Sequence, residues 1–199
     1  MNHEIYLYSN AQESTSSLVK VLEELPSTRI VKLLRTREQI SRESFIRVFQ
    51  DATRFILKSR HLSYDKRERI SLIAILCKEG CVPLDVDENT FQVAAPKRSF
   101  PLVKVLLNDS RLSSAFITEN LVSAVERGHV GMADTLYKKL RTSCDLIVEE
   151  FIKAATDGNI ELIKYLSVKR EINRETRLTA LASAAMNGRD EVVKALKGL

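Results

Sequence analysis

With 199 residues, of which 44% are hydrophobic and 29% charged, the chain is long enough to bury one sizeable core or one elongated array. Trp is absent, Gly (6) and Pro (4) are scarce, and Leu, Ala, Lys, Arg and Glu dominate, a mixture that favours helix over sheet. The formal charge of +5 divides into +3 over residues 1–100 and +2 over 101–199, which excludes a basic tail, and no run of about 18 apolar residues exists to cross a membrane.

The opening "MNHEIYLYSNAQESTSS" has no basic start and no long apolar segment, so it does not read as a secretory signal. Its "EIYLYS" alternates without an obvious strand partner and reads as an extended arm. "SSLVKVLEEL" then stops at Pro26, and Ser27 is placed to cap a second helix, "TRIVKLLR". "ESFIRVFQDATRFILKS" sets Phe45, Val48, Phe49, Ala52, Phe55 and Ile56 along one helical face. "YDKRERISLIAILCKEG" follows, with Gly80 as its exit. Residues 1–90 are thus expected to be helical hairpins of irregular length, a divergent cap covering the apolar end of an array; a separate α-helical domain is the alternative. Between Arg29 and Arg69 stand 12 Lys/Arg against 5 Asp/Glu. A solvated helix surface accounts for them, and nucleic-acid binding through this basic 29–69 region is the alternative function.

From Phe91 the chain repeats every 30 residues without a gap: "FQVAAPKRSFPLVKVLL", "LVSAVERGHVGMADTLY", "FIKAATDGNIELIKYLS" and "LASAAMNGRDEVVKALK". After the leading Phe91, Leu121, Phe151 or Leu181 come Ala94, Ala124, Ala154 and Ala184 at +3. Ala95, Val125, Ala155 and Ala185 follow at +4, and Arg98, Gly128, Gly158 and Gly188 at +7. Leu102/Val103, Met132/Ala133, Leu162/Ile163 and Val192/Val193 fill +11 and +12, and leucine holds +15 throughout. Such a period marks a repeat array. The first columns form one face of a short helix whose alanines admit a close neighbour. Glycine at +7 is expected at positive φ to end that helix, and +11, +12 and +15 are the apolar face of a second, antiparallel helix. Glu161, Asp190 and Glu191 stand at the start of the second helix in their blocks, and Lys138, Lys139, Lys164, Lys169, Lys194 and Lys197 stand towards its end, matching the helix dipole. The expected fold is all-α, a helix-turn-helix solenoid of four repeats over 91–120, 121–150, 151–180 and 181–199, with no sheet.

Little in the sequence suggests catalysis. His3, His61 and His129 are dispersed, and His129 shares its turn column with Ser99, Asn159 and Arg189. Cys77 and Cys81 lie one helical turn apart without the second pair that a zinc site needs, and Cys77 falls on an apolar stripe and reads as core. Cys144 has no histidine placed beside it. There is no phosphate-cradling glycine loop, and no paired carboxylates stand out. The sparse, odd cysteine set suits a reducing compartment. The expectation is a protein with no enzymatic activity, catalytic residues, cofactor or metal.

"LTALASAAMNGRDEVVKALKGL" and "LVSAVERGHVGMADTLYKKL" resemble ankyrin repeats, as do Thr179-Ala180-Leu181-Ala182 at the family's start motif and Gly128-His129 at its turn. The resemblance is good over 91–199 and partial over 70–81. The Pro and His of the family's start are missing, and the period is 30 where the family usually has 33. The gap between blocks falls where ankyrins carry a β-hairpin finger. Segments such as "SSAFITEN" and "SCDLIVEE" are expected to form shortened fingers or helices that begin a turn early, with Asp145 or Thr118 as N-cap. Such short repeats are similar to those of some viral and intracellular-bacterial ankyrin proteins. The resemblance implies a cytoplasmic protein–protein interaction scaffold, with the host cytosol as its place of action if it is a microbial or viral effector. It places the partner on the concave face. The variable columns before the turn are then the expected partner-binding residues: Pro96/Lys97, Glu126/Arg127, Thr156/Asp157 and Met186/Asn187.

Overall fold

A computed structural model describes residues 42–59, 63–141 and 144–198. The expected arm and the helices on either side of Pro26 lie outside the described residues, as does His61. The described residues form ten helices and no strand. They fall into two compact units divided after Leu112.

In the first unit, α1 (Arg42–Lys58) packs on α2 (Tyr64–Lys78) and α3 (Leu84–Ala94), and α4 (Phe100–Leu106) packs on α2 and α3. The face foreseen for α1 is buried at Phe45, Val48, Phe49, Ala52 and Ile56. Phe55 is only half-buried, with the Arg69 guanidinium 4.2 Å over its ring. Ser63 caps α2 by accepting from the Lys66 amide at 3.2 Å, and Gly80 ends it at φ +63°.

The second unit is three hairpins: α5 (Ser114–Glu126) with α6 (Val130–Leu140), α7 (Cys144–Asp157) with α8 (Ile160–Ser167), and α9 (Arg174–Met186) with α10 (Asp190–Lys197). First helices, α3 included, start at 84, 114, 144 and 174, and second helices at 100, 130, 160 and 190. The 30-residue step of the sequence is therefore a step of the backbone.

The first helices begin two turns before the leading apolar column, earlier than foreseen. Asp145 lies in the first turn of α7 and Thr118 in the body of α5, so neither is an N-cap. Ser113 and Asn173 do that work, accepting from the Phe116 and Thr176 amides at 3.1 and 2.8 Å. Apolar residues one turn ahead of the leading column, Ile117 and Ile147, are buried and draw those extra turns into the helices.

Each first helix ends in the same way. Gly128, Gly158 and Gly188 stand at φ +67°, +92° and +65°, and Arg98 holds the same column at +54°. The next amide, from Ser99, His129, Asn159 or Arg189, donates back to the carbonyl of the +3 alanine at 2.8–3.1 Å, the six-residue closure that satisfies an orphan helical carbonyl. The +3 alanines are buried in all four blocks. The +4 column is not: Ala155 is buried, Ala95 and Val125 are half-buried, and Ala185 is exposed. Among the described helices α9 packs closely only on α7 and α10, which leaves Ala185 uncovered.

Candidate functional site

The residues expected to bind a partner all sit where a first helix ends. Lys97 lies in the turn after α3, in the first unit, and is exposed. In the second unit Glu126 and Asp157 close α5 and α7, Arg127 and Asn187 are the C-caps of α5 and α9, and Met186 closes α9 with 87% of its surface exposed. Thr156 differs from the rest. It is half-buried, its hydroxyl donates to the Ile152 carbonyl at 3.0 Å, and its own carbonyl accepts from Arg189 Nε at 3.0 Å. It joins adjacent hairpins more than it faces solvent.

Two of these residues, Glu126 and Asp157, line an open cavity of about 750 Å³ between α5 and α7. Its origin lies in uneven packing. α7 rests directly on α9, but α5 makes its close cross-hairpin contact with α8, and α7 stands away from it. The gap is lined by Val122, Ala154, Ile160 and Leu162, with Ala154 and Leu162 almost wholly buried.

The charges around it are one-sided. Glu119, Glu126, Glu150, Asp157 and Glu161 line the groove, against Lys153 alone, in a chain whose net charge is +5. Glu126 accepts a hydrogen bond from Asn159 Nδ2 at 2.9 Å and Glu161 pairs with Lys164 at 3.2 Å. Burial raises the Glu150 carboxyl above its ordinary range, Asp157 adds repulsion, and Lys153 opposes both. The start of α8 also opens here, but Asn159 Oδ1 accepts from the Leu162 amide at 3.0 Å and Glu161 fills the first turn. The positive end of that helix is therefore already answered.

A second cluster holds α6 to the α8 hairpin. The Lys169 ammonium lies 4.7 Å from the Tyr137 ring centroid and 4.1 Å from that of Tyr165. Asp134 accepts from Tyr165 Oη at 2.8 Å and pairs with Lys169 at 3.3 Å, and Tyr137 Oη donates to Glu171. The Tyr165 bond holds the Asp134 carboxyl low, and burial first, then Glu171, pushes the Tyr137 phenol up to about 12. The cluster joins the two hairpins whose first helices frame the groove, fixing the walls that a ligand would meet.

The first unit holds a buried ionic cluster whose carboxylates do not stand out in the sequence and are brought together by the fold. Asp87 is fully buried and Asp109 nearly so. Arg111 Nη2 reaches both, at 2.7 and 2.6 Å, while its Nε donates to the two oxygens of Asp109 and its Nη1 to the Val82 carbonyl. Cys77 is buried as foreseen, but its thiol donates to Asp87 Oδ1 at 3.6 Å. Burial, then the neighbouring carboxylates, push that thiol up, the direction opposite to a nucleophile's. Burial and Asp109 raise the Asp87 carboxyl to about 7 against the pull of Arg111. Burial works against ionised Asp109 as well, yet the bonds from Arg111 keep its carboxyl below the ordinary range. Cys77, Asp87 and Asp109 bring three possible ligand atoms within 4.8 Å of one another. The guanidinium already takes the place a cation would have, so the cluster acts as a neutralised tie between α2, α3 and the 107–112 turn. Asp87 stands in the column that holds Ile117, Ile147 and Arg177 in the later blocks, so the column itself does not mark it.

The basic 29–69 region is described only in part. Within it Arg54 pairs with Asp51 at 3.3 Å, Arg69 stacks on Phe55, and Lys66 Nζ donates to the Ser59 carbonyl at 2.7 Å. No helix among the described residues is long and apolar enough to cross a membrane. Comparisons with family models, with curated proteins and with solved structures found no match.

Proposed function

We propose that the chain is a non-enzymatic, ankyrin-like interaction scaffold of the cytosol that binds a partner protein along the ends of its first helices and the turns after them. Stacked helix-turn-helix repeats with a divergent helical cap are the architecture this reading assumes, and a microbial or viral effector acting on a host protein is the setting it suits. The observation that carries it is the groove between α5 and α7. There two residues singled out by their variable columns, Glu126 and Asp157, border one open cavity with an apolar lining, the form a small interface takes. Arg54, Lys66 and Arg69 of the basic region are engaged with their own neighbours, and no groove comparable to that between α5 and α7 supports the nucleic-acid alternative among the described residues.

The test compares capture of cytosolic protein by the parent and by a Glu126→Ala, Arg127→Ala, Thr156→Ala, Asp157→Ala variant. Capture should fall at least tenfold while the melting temperature moves by only a few degrees, since changes at the exposed residues cost about 0.5 kcal/mol or less each. Thr156→Ala loses the bond to the Ile152 carbonyl but keeps the backbone carbonyl that Arg189 binds. Lys138→Glu with Lys197→Glu, both exposed on second helices, is the control. Undiminished capture by the four-alanine variant, with capture lost in the control, would move recognition to the second-helix side. Salt-sensitive binding of non-specific RNA or DNA by the parent, with no protein captured, would favour the nucleic-acid alternative.

A further inference from the structure

We propose that the α5–α7 groove takes a cationic peptide segment of its partner, with lysine or arginine side chains at the acidic walls and a small aliphatic side chain between them on the apolar lining. The inference rests on the interaction-scaffold reading and adds the chemistry of the partner.

Complementarity of charge carries the argument. Five carboxylates and one ammonium line the groove, although basic residues outnumber acidic ones in the whole chain by 31 to 26. Among the described ion pairs only Lys164–Glu161 reaches it, which leaves Glu119, Glu150 and Asp157 without an ion-pair partner at salt-bridge distance. Glu150 is half-buried, and burial is what chiefly disfavours its ionised form, with Lys153 opposing that and Asp157 adding to it. A bound guanidinium or ammonium favours the ionised carboxylate and supplies counter-charge that Lys153 alone does not give five acids. An anionic ligand meets the reverse: five like charges and a helix start already capped by Asn159. Size fits as well, since about 750 Å³ is room for a few side chains and not for a folded domain. Ala154 and Leu162 supply the lining for one aliphatic group, and Glu119 and Asp157, both exposed, stand on opposite helices to receive a charge on either side.

The probe is a fluorescein-labelled pentapeptide of alternating arginine and leucine, with an alternating glutamate–leucine peptide as its opposite. Fluorescence anisotropy follows both against the full chain, in low salt and in about 0.5 M salt, where charges more than a few ångströms apart are screened. The basic peptide should bind at least tenfold tighter than the acidic one, and salt should weaken it several-fold. Glu119→Lys with Asp157→Lys should reverse the preference, and amide shifts in a ¹⁵N NMR titration should cluster at Val122, Ala154, Gly158 and Leu162. Equal binding of the two peptides, a preference untouched by the charge reversal, or shifts confined to other surfaces would overturn the proposal. If the basic peptide fails while the four-alanine variant still loses its captured protein, the scaffold reading stands and the partner's chemistry is wrong. If both fail, the face itself is wrong.

Discussion

Arg111→Met asks how much of the first unit hangs on one guanidinium. The parent side chain makes five hydrogen bonds, to the Val82 carbonyl, to Asp87 Oδ2 and to both oxygens of Asp109. Methionine keeps most of the aliphatic volume and removes all five, leaving two carboxylates buried with no counter-charge. Breaking a buried pair in this way costs about 3–5 kcal/mol. Arg111 is one-third exposed, so water reaches part of the vacated space, and about 3 kcal/mol is expected. The deficit should depend on pH, with a definite sign. Without the guanidinium the folded-state pKa of each aspartate rises, so protonation then favours the folded form, and the penalty is fullest above those pKa values and shrinks as pH falls. Urea unfolding at pH 8 and pH 5 measures both points. A deficit under about 1 kcal/mol, or one identical at the two pH values, would refute the account of the cluster. Asp87→Leu added to Arg111→Met should recover part of the loss, because an apolar replacement removes one of the stranded charges.

Further outcomes follow from the same geometry. Asp87, raised to about 7 from an ordinary 3.8, should make the parent lose stability as pH rises from about 4 to 7, and Asp87→Asn should flatten that slope in urea titrations. Ala154→Arg and Ala184→Arg each force a charge into a site of 2% exposure or less and should cost about 3 kcal/mol or more by thermal melting; an unchanged melt would mean that the repeat register is misread. Gly128→Ala, with open space around its Cβ, should cost about 1 kcal/mol for its left-handed backbone alone. Gly158→Ala should cost more, since its Cβ would meet Arg189 Cδ at 3.2 Å and displace the arginine that binds the Thr156 carbonyl.

Periodicity made the hairpins legible because the +3, +7, +11 and +15 columns each do one job at every repeat. The +7 position needs a left-handed backbone, and the chain meets that need with three glycines and with Arg98. The +3 alanine is buried, which calls for a small side chain, and its backbone carbonyl closes the turn. Helix starts were less legible. Ser113 is a good cap for α5, but Thr118 is also a residue that caps helices, and only the burial of Ile117 decides between them. The groove is a matter of distance between α5 and α7, and no column states a distance. The Asp87–Asp109–Arg111 tie was hidden for a related reason. Its members are 22 and 2 residues apart, and a charged residue in a helical sequence is usually solvated.

The central claim is that the partner sits in the groove between α5 and α7, and site-specific photo-crosslinking tests it most directly. A benzophenone amino acid replaces Lys153, which lines the groove, or Lys138, which is exposed on α6, and each protein is irradiated with the partner captured by the parent. The account predicts a strong adduct from position 153, suppressed by excess basic peptide, and little from position 138. An adduct from position 138 alone would contradict it.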